Sequence, residues 1–91
     1  MVSIHPSTRF KRSFKKQPLH IKADFADKIE IFKTHPFHPL LHTHKLRGKL
    51  AAYYGFYLCD GFRVLFDFME SNTVLLVNIG SHDDYKKWAR E

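Results

Sequence analysis

Histidine is concentrated in one short segment of the chain. Four of the seven histidines lie between residues 35 and 44, and they are His35, His38, His42 and His44. Imidazole is a common metal ligand, and histidines two or three residues apart can bind the same metal ion. However, the segment contains no Cys, and no Asp or Glu occurs between Glu30 and Asp60. Histidines on a basic loop are usually exposed without binding a ligand, so no metal site is predicted.

The other potentially reactive side chains form weaker patterns. Cys59 could act as a nucleophile with a His partner, but it lies beside an Asp-Gly turn and is predicted to be a small buried side chain. The carboxylates form no evident pair of the kind that hydrolyses sugars. The chain has 4 Gly, and none is spaced as in a nucleotide-binding loop. We therefore expect no cofactor.

Hydrophobic spacing and turn residues predict an α+β fold. Pro6 and Ser7 separate a strand over residues 2–5 from a helix over 7–16, and Pro18 starts a second helix over 18–33. The stretch between His35 and Gly48 has no steady period and is predicted to be a loop. Three strands follow from residue 53. Ser81 with Asp84 resembles a capping box that begins a short last helix.

Turn signals assign the strand side chains to two faces. A two-residue Asp-Gly turn would place Tyr57 opposite Val64, and a Ser-Asn turn would place Val64 opposite Ile79. The predicted core side, covered by the helices, comprises Phe62, Val64, Phe66, Phe68, Leu75, Val77 and Ile79. The mixed side comprises Tyr54, Phe56, Leu58, Arg63, Leu65, Asp67, Leu76, Asn78 and His82. A register slip of one residue would exchange the faces.

The mixed side combines aromatic rings with an arginine and a terminal histidine. Such a face can bind single-stranded RNA, because bases stack on rings and cations hold phosphates. An ordinary exposed sheet face with scattered polar groups gives the same pattern. The residue types alone favour this simpler interpretation.

Length and charge restrict the class of protein further. The 91 residues suffice for one domain, predicted to span 1–91, and the net charge of +6 favours a polyanionic or acidic protein partner. A single Cys permits no internal disulfide, so we expect a cytoplasmic protein.

We expect no membrane span. The basic residues 1–23 resemble a transit peptide, but Phe10 and Phe14 lie one helical turn apart, which favours a docked helix.

Three short motifs carry a resemblance to a known family. They are H-x-L-x-G from His44 to Gly48, the strand that contains Arg63, and G-x-H ending at His82. In this order the chain resembles the RelE/ParE superfamily of bacterial toxins, and the YafQ-like branch most closely. The resemblance covers nearly the whole chain. It implies a RelE-like fold with an N-terminal strand, an αα-hairpin, a three-stranded antiparallel meander and a short C-terminal helix.

The resemblance also implies an activity. Such toxins belong to type II toxin-antitoxin systems, cut messenger RNA on the ribosome without a metal, and are held inactive by a cognate antitoxin. The RNA's own 2′-hydroxyl attacks the adjacent phosphate. Arg63 would bind that phosphate, while His44 and His82 would share the acid and base roles. The residues predicted to contact messenger or ribosomal RNA are Tyr54, Lys45, Arg47, Lys49, Tyr85, Lys11 and Lys15.

Two positions depart from the YafQ-like pattern. Where that branch has a further His, this chain has Tyr57 on the predicted core side, and Asp60 lies one place away from the family's Asp unless a gap is allowed. Two other functions therefore stay open. One is a ParE-like toxin that inhibits DNA gyrase without catalysis, and the other is an inactive member that only binds an antitoxin.

Overall fold

The computed structural model describes residues 1–90, which form a five-stranded sheet with helices on both faces. In chain order the elements are β1 (Ser3–Pro6), α1 (Thr8–Lys15), α2 (Leu19–Thr34), β2 (His44–Lys45), β3 (Tyr54–Tyr57), β4 (Arg63–Met69), β5 (Thr73–Gly80) and α3 (His82–Arg90). The strand order is β1-β5-β4-β3-β2, in which β1 and β5 are parallel and the other neighbours antiparallel. The predicted α+β arrangement is confirmed.

The two N-terminal helices begin where the sequence predicts. The Ser7 hydroxyl accepts a hydrogen bond from the Phe10 N–H at 3.0 Å, which makes Ser7 the N-cap of α1. Pro18 directly precedes α2. The carbonyl oxygen of Pro18 accepts a hydrogen bond from the N–H of Ile21, in the first turn of the helix, at 3.0 Å. Both helices cover one face of the sheet, and the rings of Phe10 and Phe25 meet at 5.5 Å.

Phe32 of α2 is the centre of the main hydrophobic core. Its side chain is completely buried, and its ring lies 5.0 Å from that of Phe56 on β3 and 4.8 Å from that of Phe66 on β4. A buried aromatic side chain removes a large apolar area from water and adds specific ring contacts. Phe32 therefore fixes α2 against the two middle strands.

The β3–β4 turn is wider than the predicted two-residue turn. Tyr57 pairs with Arg63 across the strands, and a single turn of 3-10 helix, Cys59–Gly61, connects them. Asp60 has a φ of 55° and Gly61 a φ of 75°, so the Asp-Gly pair does supply the left-handed backbone that the turn requires. The predicted partner of Tyr57, Val64, instead pairs with Phe56.

This wider turn exchanges the faces assigned to β3. The predictions that Tyr54, Phe56 and Leu58 lie on the mixed side are wrong, because all three pack in the main core. Tyr57, predicted to face the core, lies on the same face as Arg63. The physical reason is the period of two in a strand, which reverses every side chain when the pairing moves by one residue.

A second irregularity lies between β4 and β5. Val64 pairs with Ile79 as predicted, but the register shifts between Leu65 and Phe66. Phe66 consequently pairs with Leu76 and Phe68 with Val74, which brings Leu76 and Val74 into the core in place of the predicted Val77 and Leu75. This register shift is a β-bulge, and its extra residue lies on β5. Beyond the bulge, the side chains of β5 that would have faced one side of the sheet face the other.

The opposite face of the sheet is covered by α3. A small second core there consists of the buried side chains Leu46, Leu50 and Leu65, with Tyr53, Val77, Tyr85, Trp88 and Ala89 packed around them. The predicted loop between His35 and Gly48 contains a turn of 3-10 helix at Pro39–Leu41 and the short strand β2. Among residues 1–90, no helix has both the length and the apolar content required to cross a bilayer.

Replacing Phe32 with Ala should destabilise the whole fold. We expect Phe32→Ala to lower the free energy of unfolding by about 3–5 kcal/mol, because the substitution leaves a cavity and removes the ring contacts to β3 and β4. Urea denaturation followed by circular dichroism measures the loss. Phe37→Ala is the control, since Phe37 is 60% exposed. Equal losses for the two variants would contradict the central role of Phe32.

Candidate functional site

Arg63 and His82 meet at one end of the sheet. Arg63 begins β4 opposite Gly80 of β5, and His82 begins α3 two residues after Gly80. Nη2 of Arg63 lies 2.9 Å from Nδ1 of His82. Because a guanidinium group only donates hydrogen bonds, Nδ1 of His82 is the acceptor and the ring's proton lies on Nε2. This placement agrees with the predicted register of the two residues.

Two tyrosine rings enclose the Arg63 guanidinium. Its central carbon lies 4.8 Å from the ring centroid of Tyr57 on β3 and 4.6 Å from that of Tyr85 on α3. Both distances are within the range of cation–π attraction, which is stronger where water is partly excluded. The guanidinium also donates to the carbonyl of Gly61 at 3.3 Å. Three separate elements thus fix one cationic side chain.

His44 lies on the other side of Tyr57. Its imidazole centroid is 5.4 Å from the Tyr57 ring, because β2 pairs with β3 and sets His44 opposite Gly55. Nδ1 of His44 lies 2.9 Å from the carbonyl oxygen of His42. A carbonyl only accepts, so Nδ1 carries the proton and Nε2 carries the lone pair. His44 and His82 therefore flank the pair formed by Tyr57 and Arg63.

The start of α3 is fixed by a reciprocal capping box, as the sequence predicts. The Ser81 N–H donates to Oδ2 of Asp84 at 3.0 Å, and the Asp84 N–H donates to the Ser81 hydroxyl at 3.2 Å. Gly80 permits this close approach: a Cβ built there would lie 2.7 Å from Oδ2 of Asp84 and 2.9 Å from Cζ2 of Trp88. These contacts position His82 and Tyr85.

Some of the predicted RNA-contacting residues surround the same site. A surface groove of about 350 Å³ is lined by His44, Lys45, Leu46, Arg47 and Tyr85. The ammonium groups of Lys45 and Lys49 donate to the backbone carbonyls of Ala51 and Arg90, at 2.6 and 2.8 Å. Arg47 and Tyr85 are therefore better placed than these two lysines to contact a ligand in the groove.

The prediction that Tyr54 lies on the same face of the sheet as Arg63 is wrong. Tyr54 faces the helix-covered side, where its ring stacks on Phe66 at 5.8 Å. Nζ of Lys45, its neighbour across β2 and β3, lies 5.1 Å from the Tyr54 ring. The cause is the wider β3–β4 turn, so Tyr54 and the Lys45 ammonium lie away from the Arg63 face.

The cations of α1 that lie nearest α3 are not Lys11 and Lys15, the two that were predicted to contact RNA. Lys11 and Lys15 are exposed on α1. A cleft of about 300 Å³ between α1 and α3 is lined instead by Arg9, Arg12, Ser13, Lys16, Asn78 and Trp88. Arg9, Arg12 and Lys16 fall at i, i+3 and i+7 and therefore share one side of the helix. Their spacing was visible in the sequence, but the position of α1 beside β5 was not.

Cys59 is exposed rather than buried, which corrects the prediction from the sequence. The pKa of its thiol is raised, first by desolvation and then by the nearby carboxylates of Asp24 and Asp60. Nucleophilic cysteines lie in electropositive surroundings that favour the thiolate. Cys59 therefore does not have the environment of a catalytic nucleophile.

Tyr57 is the site residue that sequence reasoning placed on the wrong face. A usable signal was present, because Tyr54, Phe56 and Leu58 alternate with Gly55 and Tyr57. The more apolar set of an alternating strand normally faces the core. Giving this alternation more weight than the assumed turn length would have placed Tyr57 beside Arg63.

Comparison with known proteins identifies the fold. Neither a protein-family model nor a curated protein sequence matches the chain. Among solved structures, YafQ from E. coli is 13% identical, with a TM-score of 0.68 and coverage of 93% of this chain and 98% of that one. A metal-bound toxin from Helicobacter pylori is 24% identical, with a TM-score of 0.70 and coverage of 92% and 98%.

A third similar structure is the RelB–RelE antitoxin–toxin complex from Methanococcus jannaschii. It is 15% identical, with a TM-score of 0.73 and coverage of 92% of this chain and 96% of the matched one. At these identities the likeness establishes architecture. The chain has the fold of RelE/ParE-type toxins, and the RelE-like fold implied by the three sequence motifs is confirmed.

Adding a methyl group at Gly80 should displace α3. We expect Gly80→Ala to destabilise the chain by about 1–3 kcal/mol, because the new Cβ overlaps Asp84 and Trp88. Amide hydrogen exchange should accelerate in α3 more than in α2. Thr73→Ala, at the other end of β5, is the control and should leave exchange in α3 unchanged. Uniform acceleration across all helices would contradict a local effect.

Proposed function

We propose that this chain is the toxin of a type II toxin-antitoxin system and that it cuts messenger RNA on the ribosome. The observation that carries the proposal is the contact of Arg63 with His82 at 2.9 Å, between the rings of Tyr57 and Tyr85. The shared fold with YafQ and with RelE supports the same class of protein. RNA cleavage requires a cation that binds the phosphate and side chains that transfer protons.

Arg63 acts on the scissile phosphate. Attack by the 2′-hydroxyl adds negative charge to the phosphorus oxygens, and a permanently charged, planar guanidinium can donate two parallel hydrogen bonds to them. The tyrosines on either side restrict the group to one orientation before substrate binds. This pre-organisation concentrates the stabilisation on the transition state.

His44 acts as the general base. Its Nδ1 proton is held by the His42 carbonyl, so Nε2 has a lone pair available for the 2′-hydroxyl proton. Proton removal allows the 2′-oxygen to form a bond with the adjacent phosphorus. The backbone hydrogen bond also stabilises the imidazolium that forms.

His82 acts as the general acid. In the free chain its Nδ1 accepts from Arg63, and a bound phosphate competes for that guanidinium. When a phosphate oxygen replaces His82 as the acceptor for Nη2 of Arg63, Nδ1 can take up a proton from solvent, and the guanidinium keeps its orientation. The resulting imidazolium protonates the 5′-oxygen as its bond to phosphorus breaks. The products are a 2′,3′-cyclic phosphate and a 5′-hydroxyl, and the proton taken by His44 balances the one given by His82.

The surroundings of the site suit an RNA held on the ribosome. The rings of Tyr57 and Tyr85 can stack with bases, and the groove beside Arg47 extends the surface from His44. The cleft beside Arg9, Arg12 and Lys16 gives a second cationic region for ribosomal RNA. The net charge of +6 supports both contacts, as well as a cognate antitoxin of opposite charge.

Removing the proposed acid or the proposed phosphate ligand should slow cleavage strongly while the chain stays folded. We expect His82→Ala to slow cleavage about 10²–10⁴-fold and Arg63→Ala about 10²–10³-fold, because proton transfer and charge stabilisation are lost. Purified protein, ribosomes and a defined message, with cleavage mapped by primer extension, measure the rates. His5→Ala is the matched control, since His5 is exposed on the edge strand β1 and pairs with Leu75, away from the end of β5 that leads to His82.

Other outcomes would assign a different function. DNA damage signalling with intact messages on induction in cells would indicate gyrase inhibition. Normal growth with soluble wild-type protein present would indicate an inactive member that binds only an antitoxin. Unchanged cleavage by both variants would overturn the assigned roles.

The ring of Tyr57, rather than its hydroxyl, should matter for catalysis. We expect Tyr57→Phe to retain cleavage within about threefold, because the ring face over Arg63 is preserved. Tyr57→Ala should slow cleavage about tenfold, because Arg63 loses one side of its enclosure. Single-turnover rates on ribosome-bound message compare the two. Equal large losses would show instead that the hydroxyl takes part in the chemistry.

A further inference from the structure

Three potential metal ligands converge on the surface where α2 meets the β3–β4 turn. They are His20 of α2 with Cys59 and Asp60 of the turn, and their ligand atoms all lie within 4.8 Å of one another. Nε2 of His20 is 2.9 Å from Oδ2 of Asp60. The sequence gives no sign of this group, because 38 residues lie between His20 and Cys59.

The fold holds the two parts together independently of that contact. The Cys59 N–H donates to Oδ2 of Asp24 at 2.8 Å, and Asp24 follows His20 by one helical turn on the same side of α2. The Asp24 carboxylate is itself bound by Nζ of Lys28, at 2.9 and 3.0 Å. Burial tends to raise the pKa of Asp24, but the bonds from Lys28 and Cys59 lower it overall. The turn is therefore anchored to the helix by an ionised group.

We propose that His20, Cys59 and Asp60 bind one Zn²⁺ ion, with solvent in the fourth position. Imidazole, thiolate and carboxylate are the three ligand types that proteins offer to zinc, and three protein ligands with one open position are a usual arrangement. One thiolate and one carboxylate also balance the charge of the ion. A set containing sulfur and nitrogen does not suit Mg²⁺ or Ca²⁺, which prefer oxygen ligands.

The distances require only small side-chain movements. With zinc bonds of about 2.0–2.3 Å, tetrahedral ligands lie about 3.3–3.6 Å apart. His20 and Asp60 must therefore separate slightly from 2.9 Å. Because the three ligand atoms lie within 4.8 Å of one another, Sγ must approach by at most about 1.5 Å, which is within reach of side-chain rotation. The carboxylates beside Cys59, which disfavour a bare thiolate, attract a divalent cation.

Such an ion would restrict the motion of the β3–β4 turn, which lies next to Arg63. Nε and Nη2 of Arg63 donate to the carbonyl of Gly61, the residue after Asp60, at 3.4 and 3.3 Å. A metal that joins Asp60 to α2 therefore also restricts the acceptor that orients Arg63. The proposed zinc site is distinct from the proposed cleavage site, since none of the three zinc ligands is assigned a role in RNA cleavage.

Metal binding can be measured directly on the purified full chain. Equilibrium dialysis with Zn²⁺ should give one ion per chain, and Co²⁺ as a probe should show a thiolate-to-cobalt charge-transfer band. Cys59→Ser should abolish the band, and His20→Ala should weaken Zn²⁺ binding at least about tenfold. His35→Ala is the control, because His35 lies in the His-rich segment outside the triad, and it should bind as the wild type does.

A second measurement separates ligand loss from misfolding. Zn²⁺ should slow the alkylation of Cys59 in the wild type and in His35→Ala, but much less in His20→Ala, with circular dichroism showing that all remain folded. Binding of less than one ion, or binding unaffected by Cys59→Ser, would overturn the proposal. Loss of binding in His35→Ala with the triad intact would assign the metal to the His-rich segment instead. Cleavage activity plays no part in these readouts.

Discussion

The alternation of side chains along β4 is the constraint on which both the core and the site depend. Val64 and Phe66 face α1 and α2 and are completely buried, whereas Arg63 and Leu65 face the side covered by α3. Because successive residues of a strand point in opposite directions, fixing the apolar set also fixes the polar one. The burial of Phe66 against Phe32 therefore helps hold Arg63 in place, although neither aromatic residue touches the site.

The sequence was sufficient for the order and type of the main elements, because periodicity and capping residues are local signals. It placed the N-cap at Ser7, the capping box at Ser81, and Arg63 near His82. It failed at the β3–β4 turn and at the bulge after Leu65. Each failure is a shift of the strand pairing by one residue. Strand register depends on tertiary packing as well as on the identity of the turn residues.

The site itself was only partly accessible from the sequence. His44 could be named from a motif, but its position depends on the two-residue strand β2, which is too short to leave a periodic signal. The enclosure of Arg63 by Tyr57 and Tyr85 needs the correct face of β3 and the docking of α3 together. Long-range contacts of this kind follow from the assembled sheet and not from any segment alone.

The parallel pairing of β1 with β5 has a consequence for how the chain is made. Ser3–Pro6 finds its partner only at Thr73–Leu76, about 70 residues later in the sequence. Closing so long a loop is entropically costly and slows folding. During synthesis, the first strand must wait until most of the chain has left the ribosome. A nascent chain without β5 also lacks the partner of β4 that brings His82 to Arg63, so assembly of the sheet and of the site comes late.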